Sequence, residues 1–378
     1  MNEKQLRIED IAESFTLPNG LRVCCERLPQ LRTVTVGLWL HTGSMHELEA
    51  ENGLSHFMEH MVFKGTDTRT ARQINEEMDA VGGSMNAFTG KDATCFYAKV
   101  IDEDLPLAVD LLADLAIHAT LDAEELEKER GVILEEIAMD EDSPEDVVTD
   151  MLAEVMYTGQ SMGRTILGPA EKIAAYTRSD LAAYRSRHYC PRDAVLAVCG
   201  NFDTAELRTM AEKYFGSWHN DLPPYASPAL NCGSGRLLLR SKDIEQSHIC
   251  LGWPGLSYTD ERLTSLQAAS SILGGTMTSR LFQRIREELG AAYSIYTFTN
   301  TYEMGGSFGI YAGVNASAVE RVLGEIRGEV DRFLRDGITE REFRDTKTQM
   351  RAGMLMGLES PGNRMQRLGR SLLLQNRV

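Results

Sequence analysis

Leu121-Asp122-Ala123-Glu124-Glu125-Leu126 returns later in the chain as Ile338-Thr339-Glu340-Arg341-Glu342-Phe343, and this pair of stretches decides the fold. The offset is 217 residues, and Ser143-Pro144 reappears at the same offset as Ser360-Pro361 with no gap between. Each copy opens on a capping-box pattern, Asp122-x-x-Glu125 and Thr339-x-x-Glu342. In such a box the first side chain caps the N3 amide and the Glu reaches back to the cap amide, so both copies should start long helices. A second match, Ile74-Asn75-Glu76-Glu77-Met78 against Ile285-Arg286-Glu287-Glu288-Leu289, has an offset of 211. Offsets this close imply one duplicated fold with small insertions.

Around these anchors, strand and helix patterns alternate. Val34 to His41 alternates like a strand, Ala71 to Val81 carries Ile74, Met78 and Val81 at helical spacing, and Cys95 to Val100 is another strand candidate. The expected class is α+β: two homologous domains from an internal duplication, each an antiparallel-rich sheet with helices packed on one face. His219 to Gly235 holds three prolines and no periodic apolar pattern, which makes it the linker between a domain over 1–218 and one over 236–378. The second copy is the shorter: 17 residues follow Pro361, whereas 74 follow Pro144 up to Trp218. It should lack a counterpart of the apolar strand Ala194 to Cys199, and a helix with it.

Composition narrows the function classes. Over 378 residues, 43% apolar and 25% charged, the chain is of ordinary globular type and long enough for two cores. A net charge of −17 argues against nucleic acid, which asks for a basic stripe, and suits neutral or basic peptides. No run approaches the ~20 apolar residues of a membrane helix. The start, Met1-Asn2-Glu3-Lys4-Gln5, has neither signal-peptide nor transit-peptide character. The seven cysteines form no Cys-x-x-Cys pair and look like reduced thiols, so the expected compartment is cytoplasmic.

The chemistry concentrates in Gly53-Leu54-Ser55-His56-Phe57-Met58-Glu59-His60-Met61. Read as a helix, it projects His56 and His60 from one face, where two neutral imidazoles share a metal. Glu59, offset by one residue, is better placed to take a proton from water than to ligate. A third ligand should come from the helix opened by Asp122, which offers Glu129, Glu135 and Glu136. Glu129 and Glu136 are two turns apart on one face; Glu136 is taken as the ligand and Glu129 as a carboxylate that orients a ligand or the water. Two His and one carboxylate form a zinc set that leaves a position open for chemistry. The second repeat cannot reproduce it, since Glu136 maps onto Gly353, Glu129 onto Thr346, and no second His-x-x-Glu-His exists.

These residues resemble the inverted zinc metallopeptidases, the family of pitrilysin, insulin-degrading enzyme and the mitochondrial processing peptidase, and within it the bacterial processing-peptidase-type members. The likeness runs through Gly53 to Thr66, through Glu129 and Glu136 at the family's distance, and through Gly83-Ser84-Met85-Asn86-Ala87-Phe88-Thr89. It implies zinc on His56, His60 and Glu136 with Glu59 as base, and an edge strand at Asn86, Ala87 and Phe88 that pairs with an extended substrate. It also implies a role for Arg286 and Tyr293, as the pair that holds a substrate carbonyl and its oxyanion. A peptide or presequence-like substrate and a dimer, homodimeric in the simplest case, follow from the same likeness. Two rival readings are a non-catalytic assembly subunit, which loss of a ligand or the base would mark, and a hydrolase of non-peptide amides, which would lack the edge strand. The other histidines (41, 46, 118, 188, 219, 248) have no ligand-spaced partner, and Met350, Met354, Met356 and Met365 are expected in the core of the second domain.

Overall fold

The computed structural model describes residues 12–220 and 226–378. Two compact units emerge, and neither is continuous in sequence: one is 1–137 with 165–227 and 357–378, the other 138–164 with 228–356. One of the cuts between the units, after residue 227, falls within the expected linker over 219–235, but each unit also takes in a segment from beyond it; residues 221–225 lie outside the described residues.

The first unit is built on a six-stranded sheet in the order β1-β2-β6-β3-β5-β4. Its strands are β1 (Ala12–Thr16), β2 (Arg22–Arg27), β3 (Thr33–Leu40), β4 (Ser84–Thr89), β5 (Thr94–Ile101) and β6 (Ala194–Gly200). The β2–β6 pair is parallel and the others are antiparallel. Helices α1 (Leu54–Val62), α2 (Ala71–Ala80), α3 (Leu105–His118) and α4 (Ala123–Glu141) follow the early strands. The second unit begins with α5 (Pro144–Met156), after which the chain returns to the first unit through α6 (Ala170–Ala175), α7 (Arg178–His188) and α8 (Thr204–Phe215). Strand β3 explains the layering. Val34, Val36, Leu38 and Leu40 join a core with Phe57, Met61, Val109 and Leu112, which puts α1 and α3 on that face.

The alternate residues of β3 are buried as well, because a helix from the far end of the chain covers the opposite face. This is α12 (Pro361–Gln375), after α9 (Leu263–Ser270), α10 (Val319–Asp336) and α11 (Glu340–Gly357) of the second unit. A Cβ on Gly37 would lie 2.4 Å from Met365 Sδ, so the glycine leaves the space that the Met365 side chain fills against the strand. Trp39 Nε1 donates to the same sulfur at 3.4 Å, and Arg22 Nη1 to Leu372 O at 2.9 Å. The helices expected on one face are there, and α12 adds a layer to the other.

The second unit repeats the plan with fewer strands: β7 (Ser247–Gly255), β8 (Ala292–Tyr302) and β9 (Gly305–Val314), antiparallel in the order β7-β9-β8. Ile249 and Leu251 pack with Ile295, Ile310 and Val322, while the alternate Gly252 faces Leu152 and Met156 of α5. The expected shortage of strands holds among the described residues. Arg236–Arg240 forms no strand there, and Leu237 and Leu239 are 80% and 82% exposed. No helix among the described residues is long and apolar enough to cross a membrane.

Candidate metal centre

At nine residues α1 is too short to be stable alone, where about 12–15 are needed, so its packing holds it. Leu54, Phe57, Met58, Met61 and Val62 are buried in the core, which turns His56, Glu59 and His60 the other way. Each of these apolar side chains contributes about 1.5–3 kcal/mol by burial, far more than the intrinsic helix preference of the stretch. On α4, Leu126 and Ile133 face the core while Glu129 and Glu136 reach the two histidines.

Glu136 Oε2 lies 3.6 Å from Nε2 of both His56 and His60, and a ligand atom from each of the three falls within 4.8 Å of the others. Zinc bonds of about 2.0–2.1 Å in a tetrahedron separate donors by about 3.4 Å, so the set fits the ion with slight closure. His60 Nδ1 is 3.0 Å from Glu129 Oε2; a proton held there leaves the Nε2 lone pair free to ligate. Lys64 Nζ, 2.5 Å from Glu129 Oε1, fixes that carboxylate in turn. His56 Nδ1 is buried and meets no hydrogen-bond partner among the described residues. Burial, with a smaller push from His60, lowers the His56 pKa to about 4, so its ring is neutral near pH 7, as a ligand must be.

Glu59 sits beside this set. Burial raises its pKa, against the pull of a hydrogen bond from Thr89 and the charge of His60. A carboxylate with raised proton affinity at the mouth of a metal site is suited to accept a proton and release it again. Thr89 ends β4, the outermost strand of the sheet, which pairs with β5 alone. Asn86, Ala87 and Phe88 precede it on that outer edge, where Ala87 N donates to Asn86 Oδ1 at 2.8 Å. Phe88 is fixed by an edge contact with Trp39 at 5.5 Å.

In the second unit the Arg286 guanidinium lies 5.6 Å from the Tyr293 ring centre and 4.8 Å from that of Phe282. The helix of Arg286, Phe282–Glu288, has the wide π-helical turn, and Tyr293 is the extra residue of a bulge in β8, 72% exposed. Bulges of this kind re-aim a side chain out of the sheet. The two expected residues are thus brought to each other.

Three of the remaining histidines are held structurally. His41 Nδ1 meets Asp193 at 3.2 Å, His46 Nε2 meets Ser227 at 2.9 Å, and His188 stacks on Tyr184 at 4.3 Å. All seven cysteines are free thiols, five of them buried. The methionines depart from expectation. Met354 and Met356 are 61% and 69% exposed, and Met365 is buried against β3 of the first unit rather than in the second. Helical spacing predicted a packed face for α11, but only Thr346 of that helix is buried. Three supporting residues escaped the sequence reading: Lys64, Thr89 and Glu47, whose carboxylate caps the start of α1. Lys64 lies inside the Gly53–Thr66 likeness and Thr89 directly follows Asn86-Ala87-Phe88, whereas Glu47 had no signal.

Two family models match the chain, one described as the insulinase (M16) peptidase family over residues 22–170 and one as the M16 inactive domain over 175–350. The zinc protease YmxG of Bacillus subtilis is 41% identical over 95% of this chain and 88% of its own length. A zinc protease of Streptomyces coelicolor is 42% identical, over 95% of this chain and 80% of its own. The crystal structure of a protease from Helicobacter pylori, 24% identical, superposes with a TM-score of 0.89 over 97% of this chain and 89% of that one. Similarity at this level over nearly the whole length, together with the metal-ready site on the first repeat, places the chain in the insulinase family of peptidases, family M16.

Proposed function

We propose that the protein is a zinc-dependent endopeptidase of the inverted His-x-x-Glu-His type that hydrolyses peptides or presequence-like segments. The observation that carries the reading is the convergence of His56, His60 and Glu136 on one point with Glu59 beside it. The relatives' names as zinc proteases support the choice of metal. A bound zinc would polarise the scissile carbonyl and lower the pKa of water from about 16 toward about 7. Glu59 takes the proton of the attacking water and returns it to the leaving amine, while Glu129 keeps His60 in the ligating tautomer. The outer edge of β4 at Asn86, Ala87 and Phe88 receives the substrate as an added strand, which orients the peptide bond without demanding particular side chains. Arg286 and Tyr293 hold a substrate carbonyl and the developing oxyanion, in this chain's site or a second subunit's. The proposed assembly is a homodimer in the cytoplasm, acting on peptides, with no nucleic-acid or membrane partner.

The test compares zinc content and cleavage of a quenched basic peptide for the protein and its Glu59→Gln variant. The expected outcome is about one zinc per chain in both and a loss of turnover of about 10²–10⁴-fold in the variant. Zinc without cleavage in either would favour the assembly-subunit reading, and no zinc in either would sink the site.

A further inference from the structure

The helix that carries His56, Glu59 and His60 has no cap of its own. Its N-cap is Gly53, in a left-handed conformation with φ of 100° and no side chain to offer. A Cβ there would come within 2.7 Å of Leu167 O and Ile173 Cδ1, so a capping serine or aspartate has no room. The orphan amides are met instead by Glu47, six residues upstream. Its Oε2 accepts from Gly53 N at 3.0 Å and its Oε1 from Ser55 N at 2.7 Å. Asn52 Nδ2 donates to the same carboxylate at 3.2 Å and to Thr165 O at 2.9 Å. The Ser55 hydroxyl lies 2.7 Å from Tyr184 Oη, which also meets Thr42 Oγ1 at 2.9 Å. Glu47 itself is 3% exposed.

We infer that Glu47 is a positioning residue for the metal centre: by binding the first amides of α1 through both carboxylate oxygens, it fixes the helix's rotation and so the placement of both imidazoles. The inference rests on the zinc reading above. Two amides two residues apart, one at the N-cap and one at the second helical position, held by one rigid carboxylate, define an angle about the axis as well as a height. Each residue of helix is 100° of rotation, so a turn of a fraction of that carries Nε2 of His56 and His60 away from Glu136. His56 is the third residue of the helix, in the turn that the carboxylate grips. In its ionised form the carboxylate also offsets the positive end of the helix dipole, which would otherwise oppose a cation bound one turn away. Burial raises the Glu47 pKa to about 7 while the Ser55 and Gly53 donors pull it down, which marks a carboxylate kept inside against the cost of desolvation.

The experiment uses the full chain as wild type, Glu47→Gln and Glu47→Asp, with Leu207→Ala in α8 as a control for general destabilisation. Zinc affinity by chelator competition and the d–d spectrum of the cobalt(II)-loaded protein are read well below each variant's Tm. Glutamine puts an amide donor where an acceptor is required. The expected result is zinc binding about 10–100-fold weaker with a shifted cobalt spectrum, partly restored by aspartate, while Leu207→Ala lowers Tm alone. A folded Glu47→Gln protein with wild-type zinc affinity and spectrum would overturn the inference; should that variant not fold, wild-type affinity and spectrum in Glu47→Asp would overturn it equally. A wild type that binds no zinc would instead defeat the zinc reading itself, and the inference with it.

Discussion

Helices α4 and α11 are copies of one another, and they differ where it matters. On α4, Glu129 is 7% exposed and grips His60; at the matching place on α11, Thr346 is 6% exposed and has no histidine to orient. Glu136 corresponds to Gly353, around which a side chain would meet nothing within 4 Å. The helix after β7, Leu263–Ser270, reads LTSLQAAS and holds no potential ligand. The second unit therefore keeps the scaffold of the first without its candidate ligands, and nothing about its packing at residue 353 requires that. Fold and chemistry are separable here because apolar side chains fix the core, Leu54, Phe57 and Met61 on α1 and Leu126 and Ile133 on α4, and the candidate ligands add nothing to it.

The sharpest way to test that separation is to give the first unit the second unit's residue. Glu136→Gly, with Glu136→Ala to remove the helix penalty of glycine, should empty the site of zinc. Loss of a metal's charge stabilisation is worth several kcal/mol, so turnover should fall about a thousandfold or more. The metal-free Tm of the alanine variant should match that of the metal-free wild type, because Glu136 is half exposed and away from the core. Zinc retained at one per chain would show that the ligand lies elsewhere on α4.

A second difference between the units is what they bury. The first encloses many ionisable side chains, among them His188, 4% exposed and stacked on Tyr184, where the second buries Glu329. Burial lowers the His188 pKa from 6.5 to about 4. The unfolded chain then takes up the proton first, so the stability contributed by neutral His188 is complete above pH 6.5 and is lost as pH falls toward 4. The size is of order 2–3 kcal/mol. Denaturant midpoints of the metal-free protein at pH 7 and pH 4.5 should therefore converge in His188→Gln relative to wild type. Equal acid sensitivity in both proteins would mean that the ring is hydrated.

Much of this was legible in the sequence because it rests on local spacing. His56, His60, Glu129 and Glu136 are paired by helical turns, and the strands over Val34–His41 and Cys95–Val100 emerge as β3 and β5 nearly unchanged. The capping boxes were half right: Thr339 and Glu342 close theirs, but Glu125 turns to Lys128 and leaves Asp122 to cap alone. What spacing cannot reveal is which surface a helix chooses. Helices α5 and α12 are equivalent in the repeat, yet α5 belongs to the second unit and α12 to the first. The glycines that admit them, Gly252 and Gly37, look like weak points in strands until the helix is seen against them. Glu47 was hidden for a related reason: it caps a helix from outside the helix's own first turn, with no periodicity to betray it.

Glu129 offers the finest test of how far the copies have diverged, because threonine is what the second unit tolerates at the same buried place. Glu129→Thr leaves the ligands intact and removes the acceptor that holds the proton on His60 Nδ1. It also strips Lys64 of its partner, leaving an ammonium beside a cation site. Such outer contacts are typically worth 10–100-fold in metal affinity, so zinc should bind that much more weakly while still reaching one per chain at saturation. At saturating zinc, peptide turnover should recover more fully than in Glu59→Gln, since the base is untouched. If the substitution leaves affinity unchanged, His60 is oriented by the backbone of α1 alone, and Glu129 is a buried carboxylate kept for Lys64.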